Sequence, residues 1–250
     1  MTLTTRTAAL AGLVLAAALT GCSALADQGA ADNAKAPAPG TASAGTAQHA
    51  LAQLQVKGPG PMTGYDREAK FGPAWSDTTT APGGGNSCDT RNDVLRRDLK
   101  DITFKGTSRC VIASGTLADP YTGKSIHFVR GPQSARVQID HAVALGASWR
   151  TGAAQLTQEQ REALGNDPAN LIAASGPANA AKSDGDAATW LPANKSFRCT
   201  YIARQIAVKA KYGLWVTPAE KAAMTRVLAP CPEQPLPTDS STGVALPGLQ

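Results

Sequence analysis

The chain has few cysteines, few aromatic side chains and no apolar run long enough to cross a membrane. Its five cysteines include no Cys-x-x-Cys pair, which argues against a structural zinc site. Aromatic residues make up 5% of the chain, so a stacking platform for nucleic-acid bases is not indicated. The apolar run at residues 8–19 is shorter than the roughly 20 residues that a membrane-spanning helix needs. The sequence therefore indicates neither a zinc-stabilised protein nor a membrane-spanning one.

Residues 1–21 carry one charge, Arg6, ahead of this apolar run, a pattern typical of a signal peptide. The Leu-Thr-Gly-Cys sequence that ends at Cys22 is similar to the lipobox, where a bacterial lipoprotein is cleaved and its cysteine acylated. We therefore predict a lipoprotein signal peptide over residues 1–21. A lipid on Cys22 would anchor the protein on the outer face of the cytoplasmic membrane. An ordinary signal peptide, followed by secretion, is the alternative.

Composition divides the rest of the chain into a tether, one domain and a tail. Between residues 23 and 50 the sequence is rich in Ala, Gly, Pro, Ser and Thr, with almost no large apolar side chain. Such a segment cannot bury enough surface to offset its ordering entropy. We predict a flexible tether over residues 22–60, one domain over residues 61–231 and a disordered tail over residues 232–250.

Four cysteines in the predicted domain remain for pairing. Export favours disulfides, and four cysteines allow three connectivities. We favour pairing between nearest neighbours in sequence, because it joins segments that are also predicted to be adjacent elements. The predicted bonds are Cys88–Cys110 and Cys199–Cys231.

The candidate chemistry lies in residues 137–184. A β-branched run ends in Asp-His, an Asn-Leu turn follows a helical insert, and a helix that begins with Pro carries Asn and Lys. Oxygen donors with a single imidazole suit Mg²⁺, Mn²⁺ or Ca²⁺ better than a structural zinc, and such cations indicate phosphate chemistry. The residues concerned are Asp140, His141, Asn170, Asn179 and Lys182.

This order of Asp-His, Asn-Leu and Asn-x-x-Lys resembles the ββα-metal finger of HNH endonucleases. The wider segment, roughly residues 65 to 231, looks like the exported proteins related to the C-terminal nuclease domain of GmrSD-type restriction enzymes. Asp-Pro-Tyr-Thr-Gly at 119–123 and Trp-Leu-Pro at 190–192 belong to that resemblance. It implies an α+β fold with a ββα-metal (HNH) core and flanking helices, which the two predicted disulfides would hold together.

The resemblance also implies a role for each candidate residue. His141, near its free pKa of about 6.5, would be the general base. Asp140 and Asn179 would be the protein's ligands to a divalent ion, most simply Mg²⁺ or Mn²⁺. Asn170 would hold the loop that orients the base. Lys182 would contact a phosphate of the substrate, although a solvated helix lysine is the alternative.

Basic residues are concentrated in two segments and predict a surface for polyanions. One is a predicted helix after Asp89, whose arginines lie opposite its apolar stripe. The other is residues 195–226, where seven Lys and Arg residues stand against one Glu, a local charge of 7 − 1 = +6. Solvated helix faces are the alternative interpretation. The candidate phosphate contacts are Arg91, Arg96, Arg97, Arg204 and Lys211.

Three functions remain open. The main hypothesis is an exported, membrane-tethered, metal-dependent HNH endonuclease that cleaves DNA with little sequence preference, with RNA as the alternative substrate. We expect it to be a monomer without an organic cofactor. The rival is a non-catalytic surface lipoprotein that binds nucleic acid or another ligand with the same fold. The third is a metal-dependent hydrolase of some other phosphodiester. Ala180, where many HNH relatives have Arg, lacks a potential phosphate contact.

Overall fold

A computed structural model describes residues 45–237, and the predicted signal peptide and Cys22 lie outside them. The helices in this part of the chain are α1 (Ala47–Gln53), α2 (Arg67–Phe71), α3 (Thr90–Asp98), α4 (Leu145–Arg150), α5 (Gln158–Asn166), α6 (Gly176–Lys182), α7 (Arg198–Lys211) and α8 (Pro218–Leu228). The strands are β1 (Leu99–Phe104), β2 (Ile112–Ala118), β3 (Ser125–Val129), β4 (Val137–His141) and β5 (Leu171–Ser175). None of these helices is long and apolar enough to cross a membrane.

The strands form two antiparallel sheets. β1, β2 and β3 pair in chain order in the first sheet. The turn between β2 and β3 is held by Asp119, whose carboxylate accepts the backbone N–H groups of Tyr121 and Thr122. β4 and β5 form the second sheet, in which His141 lies opposite Leu171.

The second sheet and α6 together form the ββα unit that the sequence predicts. Ser175 caps α6 by accepting the N–H of Ala178, and Pro177 lies in the first turn, where its missing N–H does no harm. α6 packs against both β4 and β5. The predicted α+β fold with a ββα unit and flanking helices is therefore confirmed.

The β4–β5 sheet is buried on both faces. Ile172 packs into a core built with α1, α7 and α8. Ile139 and Leu171 pack on the opposite side, with α3 and the three-stranded sheet. Successive residues of a strand point to opposite faces. Asp140 and His141, although adjacent in sequence, therefore enter different environments.

Both predicted disulfides are formed, so the nearest-neighbour pairing is confirmed. Cys88–Cys110 ties the segment before α3 to the segment before β2, and Cys199–Cys231 ties the first turn of α7 to the chain just after α8. The paired cysteines are 22 and 32 residues apart in sequence. In the chain-entropy model, loops of this size contribute about 3–4 kcal/mol each.

The ordered domain begins earlier than the predicted residue 61. α1 is capped by Thr46, and Ala47 and Leu51 are buried in the core with α7 and α8. Val56 then pairs with the segment before α8. Residues 46–60 therefore belong to the domain and not to the tether. α1 was not predicted from its alanine-rich sequence, because alanine favours helix but adds little to a hydrophobic pattern.

The domain also ends later than predicted. After α8 the chain returns to α1, where the Ala47 N–H donates to the Gln234 carbonyl at 2.8 Å. Leu236 packs against the core that contains α1. The first part of the predicted tail, residues 232–237, is therefore ordered on the domain. Residues 238–250 lie outside the described part of the chain.

Candidate active site

His141 ends β4 and lies in the wall of a pocket of about 300 Å³. Its Nε2 atom lies 2.9 Å from the carbonyl oxygen of Gly165 near the end of α5. A carbonyl oxygen can only accept, so Nε2 carries the proton and Nδ1 keeps the lone pair of the neutral ring. The fold therefore holds the imidazole in one orientation and one tautomer.

Burial lowers the pKa of His141 to about 3. The hydrogen bond to Gly165 opposes this shift, while the charges of Arg67 and Lys182 add to it. The ring is consequently neutral at ordinary pH, which is the form that a general base requires. The expected pKa near the free value of histidine is wrong, because most of the ring is buried.

Trp75 stacks on the His141 ring, with the centroids 5.7 Å apart and the planes inclined by 12°. Its backbone has a φ of +64°, in the left-handed region that bulky residues rarely adopt. Thr90 holds the segment, since its N–H donates to the Trp75 carbonyl and its hydroxyl donates to the Ser76 carbonyl. Strain of this kind persists where surrounding contacts determine the conformation, and it is concentrated at functional sites.

Asp140 points away from this pocket and is 5% exposed. Its Oδ1 atom lies 2.9 Å from Nζ of Lys182, and its Oδ2 atom accepts the hydroxyl of Tyr121. Lys182 also donates to the His141 carbonyl at 2.8 Å. Burial raises the pKa of Asp140, and the ammonium of Lys182 opposes that shift. The carboxylate is thus neutralised by a cation from within the fold.

The expected contact between Lys182 and a phosphate is therefore wrong for this structure. The lysine side chain is wholly enclosed, with 0% exposure, and its ammonium is shared by a carboxylate and a carbonyl. From its position in the last turn of a short helix, Lys182 could equally have been solvated or bound to a phosphate. The structure gives a third role, an internal counterion for Asp140.

Asn170 is fully buried and joins the loop after β4 to α5. Its side-chain oxygen accepts the Val143 N–H at 2.8 Å, and its amide donates to the carbonyls of Val143 and Leu164. Its backbone carbonyl accepts the Ala142 N–H. These bonds fix the segment that follows His141, and such contacts are what a loop-holding role for Asn170 requires.

The predicted metal ligands do not form an open set of donors. Both oxygens of Asp140 are bonded. The side-chain nitrogen of Asn179 donates to Gln138 at 2.8 Å, a bond that orients the amide without using its oxygen. Among residues 45–237 no group of three or more His, Cys, Asp or Glu side chains could hold a metal ion. This arrangement does not fit a divalent ion, because an ion bound to Asp140 would have to displace Lys182.

Two of the predicted phosphate contacts, Arg97 and Arg204, are instead structural. Both donate to the carbonyls of Pro168, in the turn before β5, and of Leu171, the first residue of β5, at distances from 2.7 to 3.2 Å. Burial lowers the pKa of Arg204 to about 10. The two guanidinium groups satisfy carbonyls that neither a helix nor a sheet pairs, so their expected role in substrate binding is corrected.

The other three predicted phosphate contacts are also used within the fold. Arg91 donates to the carbonyl of Val137 at 3.0 Å. Arg96 lies over the ring of Phe104, and Lys211 pairs with Asp167 at 2.8 Å. The helical positions predicted on which face each cation lies. They did not predict that each cation would contact another group of the protein.

The sequence did not indicate the residues that complete the His141 pocket. Arg67 and Phe71 of α2 line it together with Trp75. Arg67 is exposed and forms no ion pair with the described residues. Asp66, which caps α2, is the one local signal of this helix. Nothing in the spacing connects it with a histidine so much later in the chain.

Residues 89–227 match the family described as GmrSD restriction endonucleases, C-terminal domain. The chain is also similar to an uncharacterized secreted protein of Arthroderma benhamiae, with 40% identity over 195 residues, which covers 77% of this chain and 88% of that protein. No solved structure matches the chain. The family match covers more than half of the chain and contains the whole ββα unit, whereas α2 and Trp75 precede it. This chain therefore belongs to the family of GmrSD restriction endonuclease C-terminal domains.

Proposed function

We propose that the protein is an exported endonuclease that hydrolyses DNA phosphodiester bonds with little sequence preference, and that His141 is its general base. Membership of a restriction endonuclease family supports the reaction class. The observation that carries the assignment is the fixed neutral tautomer of His141. Its Nε2–H donates to the Gly165 carbonyl, and the ring lines an accessible pocket.

In the proposed reaction, Nδ1 of His141 removes a proton from a water molecule in the pocket. The water oxygen forms a bond to phosphorus while the bond from phosphorus to the leaving oxygen breaks. The leaving oxygen takes a proton from solvent, and the imidazolium returns its proton to solvent. A positioned base of this kind typically contributes about 10²–10⁴-fold to the rate.

Arg67 supplies a positive charge to the same pocket. Arg67 is exposed and forms no ion pair with the described residues, unlike the arginines bound to backbone carbonyls. A guanidinium can bind two phosphate oxygens at once. We therefore assign to Arg67 the phosphate contact that the sequence had suggested for Lys182.

HNH-type nucleases generally use a divalent metal ion, and the sequence suggested Mg²⁺ or Mn²⁺ on Asp140 and Asn179. In this structure protein groups occupy that place, so no step of the proposed reaction passes through an ion. A plasmid-nicking assay in Mg²⁺, Mn²⁺ and EDTA tests the proposal and its metal requirement together. Conversion of supercoiled to open-circular DNA by the purified protein is the expected result.

One observation favours a second candidate, a non-catalytic binding protein with this fold. Asp140 is closed by Lys182 and Tyr121, as in a structural network. Under this alternative, His141 and Trp75 are packing residues. Filter binding alongside the nicking assay separates the two candidates, because a binding protein would retain DNA on a filter but would not nick it in any of the three buffers.

Export is part of the proposal. The similar protein from Arthroderma benhamiae is named a secreted protein, and two disulfides suit an oxidising compartment. Because the sequence that ends at Cys22 is similar to a lipobox, the proposal includes a lipid on Cys22. This lipid would retain the protein on the outer face of the cytoplasmic membrane. Secretion without a lipid is the alternative.

A further inference from the structure

A second cleft, of about 610 Å³, lies between residues 187–191 and the helices α7 and α8. Lys195, Arg198 and Arg226 line it, and no aspartate or glutamate is among its lining residues. Trp190 forms part of the wall. The charges of the cleft distinguish it from the His141 pocket, whose lining contains one cation, Arg67, and one carboxylate, Glu68.

The cations of this cleft are available to a ligand. Lys195 and Arg226 are exposed, and neither forms an ion pair or a side-chain hydrogen bond with the described residues. Arg198 donates through Nε to the Pro192 carbonyl at 2.8 Å, which orients the guanidinium and leaves its terminal nitrogens without a partner among the described residues. These three therefore differ from Arg204, whose charge is used inside the fold.

The fold fixes the backbone positions from which Arg198 and Arg226 extend. Arg198 begins α7 next to Cys199, and Arg226 lies in the last turn of α8, close to Cys231 in sequence. The Cys199–Cys231 bond ties these two helix ends together at the cleft. The disulfide fixes the backbone at these two helix ends, so that binding there would cost mainly side-chain freedom.

The cleft adjoins the Asp140 side of the ββα unit. The ring of Trp190 packs edge-on against Tyr121 with the centroids 5.0 Å apart. The Tyr121 hydroxyl in turn donates to Asp140. Trp190, Tyr121 and Asp140 thus form a chain of contacts through the core, from the cleft to the face of β4 opposite the His141 pocket.

We propose that this cleft binds the phosphodiester backbone of DNA. The proposal rests on the proposed function, since it takes DNA as the substrate. Three cations and one indole suit a backbone better than a row of bases. An anionic membrane is the weaker match, because none of the large exposed apolar residues, Val56, Met62 and Val129, lines the cleft.

The test compares the purified parent with the variant Lys195→Gln/Arg226→Gln. The matched control is Lys105→Gln/Arg109→Gln, which removes two exposed cations from the β1–β2 connection and changes the net charge equally. Anisotropy of a short labelled DNA duplex is measured in EDTA over a salt series. Each lost phosphate contact lowers the slope of log affinity against log salt by about 0.9. The slope for the cleft variant should therefore be less steep by about 1.8, and its affinity at 0.1 M salt should be about 60-fold lower.

The control variant should bind like the parent. Equal losses in both variants would show a general charge effect and overturn the proposal, as would parental binding by the cleft variant. Vesicles with 30% phosphatidylserine form the second arm, and loss of vesicle binding with DNA binding intact would assign the cleft to a membrane. A parent that binds DNA through the cleft and never nicks it would contradict the nuclease proposal and leave the cleft assignment standing.

Discussion

Lys182 and Asp140 form an enclosed ion pair, with Nζ 2.9 Å from Oδ1 and side-chain exposures of 0% and 6%. Tyr121 donates to the second carboxylate oxygen, and the His141 carbonyl accepts from the same ammonium. One lysine of α6 therefore joins the strand that carries the candidate base to the helix of the ββα unit. Removing one member of such a pair leaves an uncompensated buried charge.

We predict that Lys182→Met destabilises the protein by about 3–5 kcal/mol, because Asp140 loses its counterion. The matched control is Lys221→Met, at a helix lysine of α8 that forms no ion pair with the described residues. Urea denaturation measures both. A Lys182→Met protein as stable as the parent, but weaker in DNA binding, would restore the phosphate-contact role to Lys182.

We predict that Trp75 positions His141 for catalysis. Trp75→Asn keeps a residue that tolerates a positive φ but removes the stacked ring, whereas Trp75→Phe keeps an aromatic ring. Turnover should fall about tenfold in the Asn variant and much less in the Phe variant, with KM nearly unchanged in both. Two variants with equal turnover, or a change confined to KM, would remove Trp75 from the catalytic arrangement.

Asp93 gives a pH-dependent prediction. Burial raises its pKa from 3.8 to about 6, a hydrogen bond from Asn86 lowers it, and the nearby charges of Asp77 and Asp89 raise it further. Between pH 3.8 and 6 the unfolded carboxyl ionises while the folded one stays protonated, so the fold loses stability as the pH rises through this window.

Asp93→Asn should therefore stabilise the protein by about 2–3 kcal/mol at pH 7 and by little at pH 3.5. Chemical denaturation at both pH values measures the difference. Asp101→Asn, at an exposed position of β1, is the control and should have little effect at either pH. A gain that is the same at pH 3.5 and pH 7 would show that the ionisation of Asp93 is not its cause.

We predict that Cys22→Ser moves the protein from the detergent phase to the aqueous phase in a phase-partitioning experiment. Cys22 precedes α1, the first described helix, so the substitution should leave nuclease activity unchanged. Mass spectrometry of the N-terminal peptide serves as the control for the lipid. If the parent is already wholly in the aqueous phase, simple secretion replaces anchoring.

The elements with local chemical signals could be predicted from the sequence. Ser175 and Pro177 mark the start of α6, and the Asp-His pair ends a β-branched strand. The disulfide pairing followed from chain order in a protein predicted to be exported. Each of these features depends on residues that are near one another in the chain, or on a pairing rule that needs no geometry.

Burial of the charged residues could not be predicted in this way. Arg204 appears on a basic helix in the sequence, but it enters the fold because the turn at residues 168–171 has carbonyls that need donors. Asp140 and His141 point to opposite faces of β4, and their adjacency in the motif does not reveal the different surroundings of the two faces. Arg67 and Trp75 reach the pocket from an earlier segment with no periodic signal.

Single-turnover cleavage of plasmid DNA tests whether His141 is the general base. The proteins compared are the parent, His141→Gln and His127→Gln. Glutamine at 141 can still donate to the Gly165 carbonyl but cannot accept a proton from water. His127 lies exposed on β3 and provides the matched control. We expect at least about a 100-fold loss of rate in folded His141→Gln and a parental rate in His127→Gln. A folded His141→Gln protein that cleaves at the parental rate would show that His141 is not the general base.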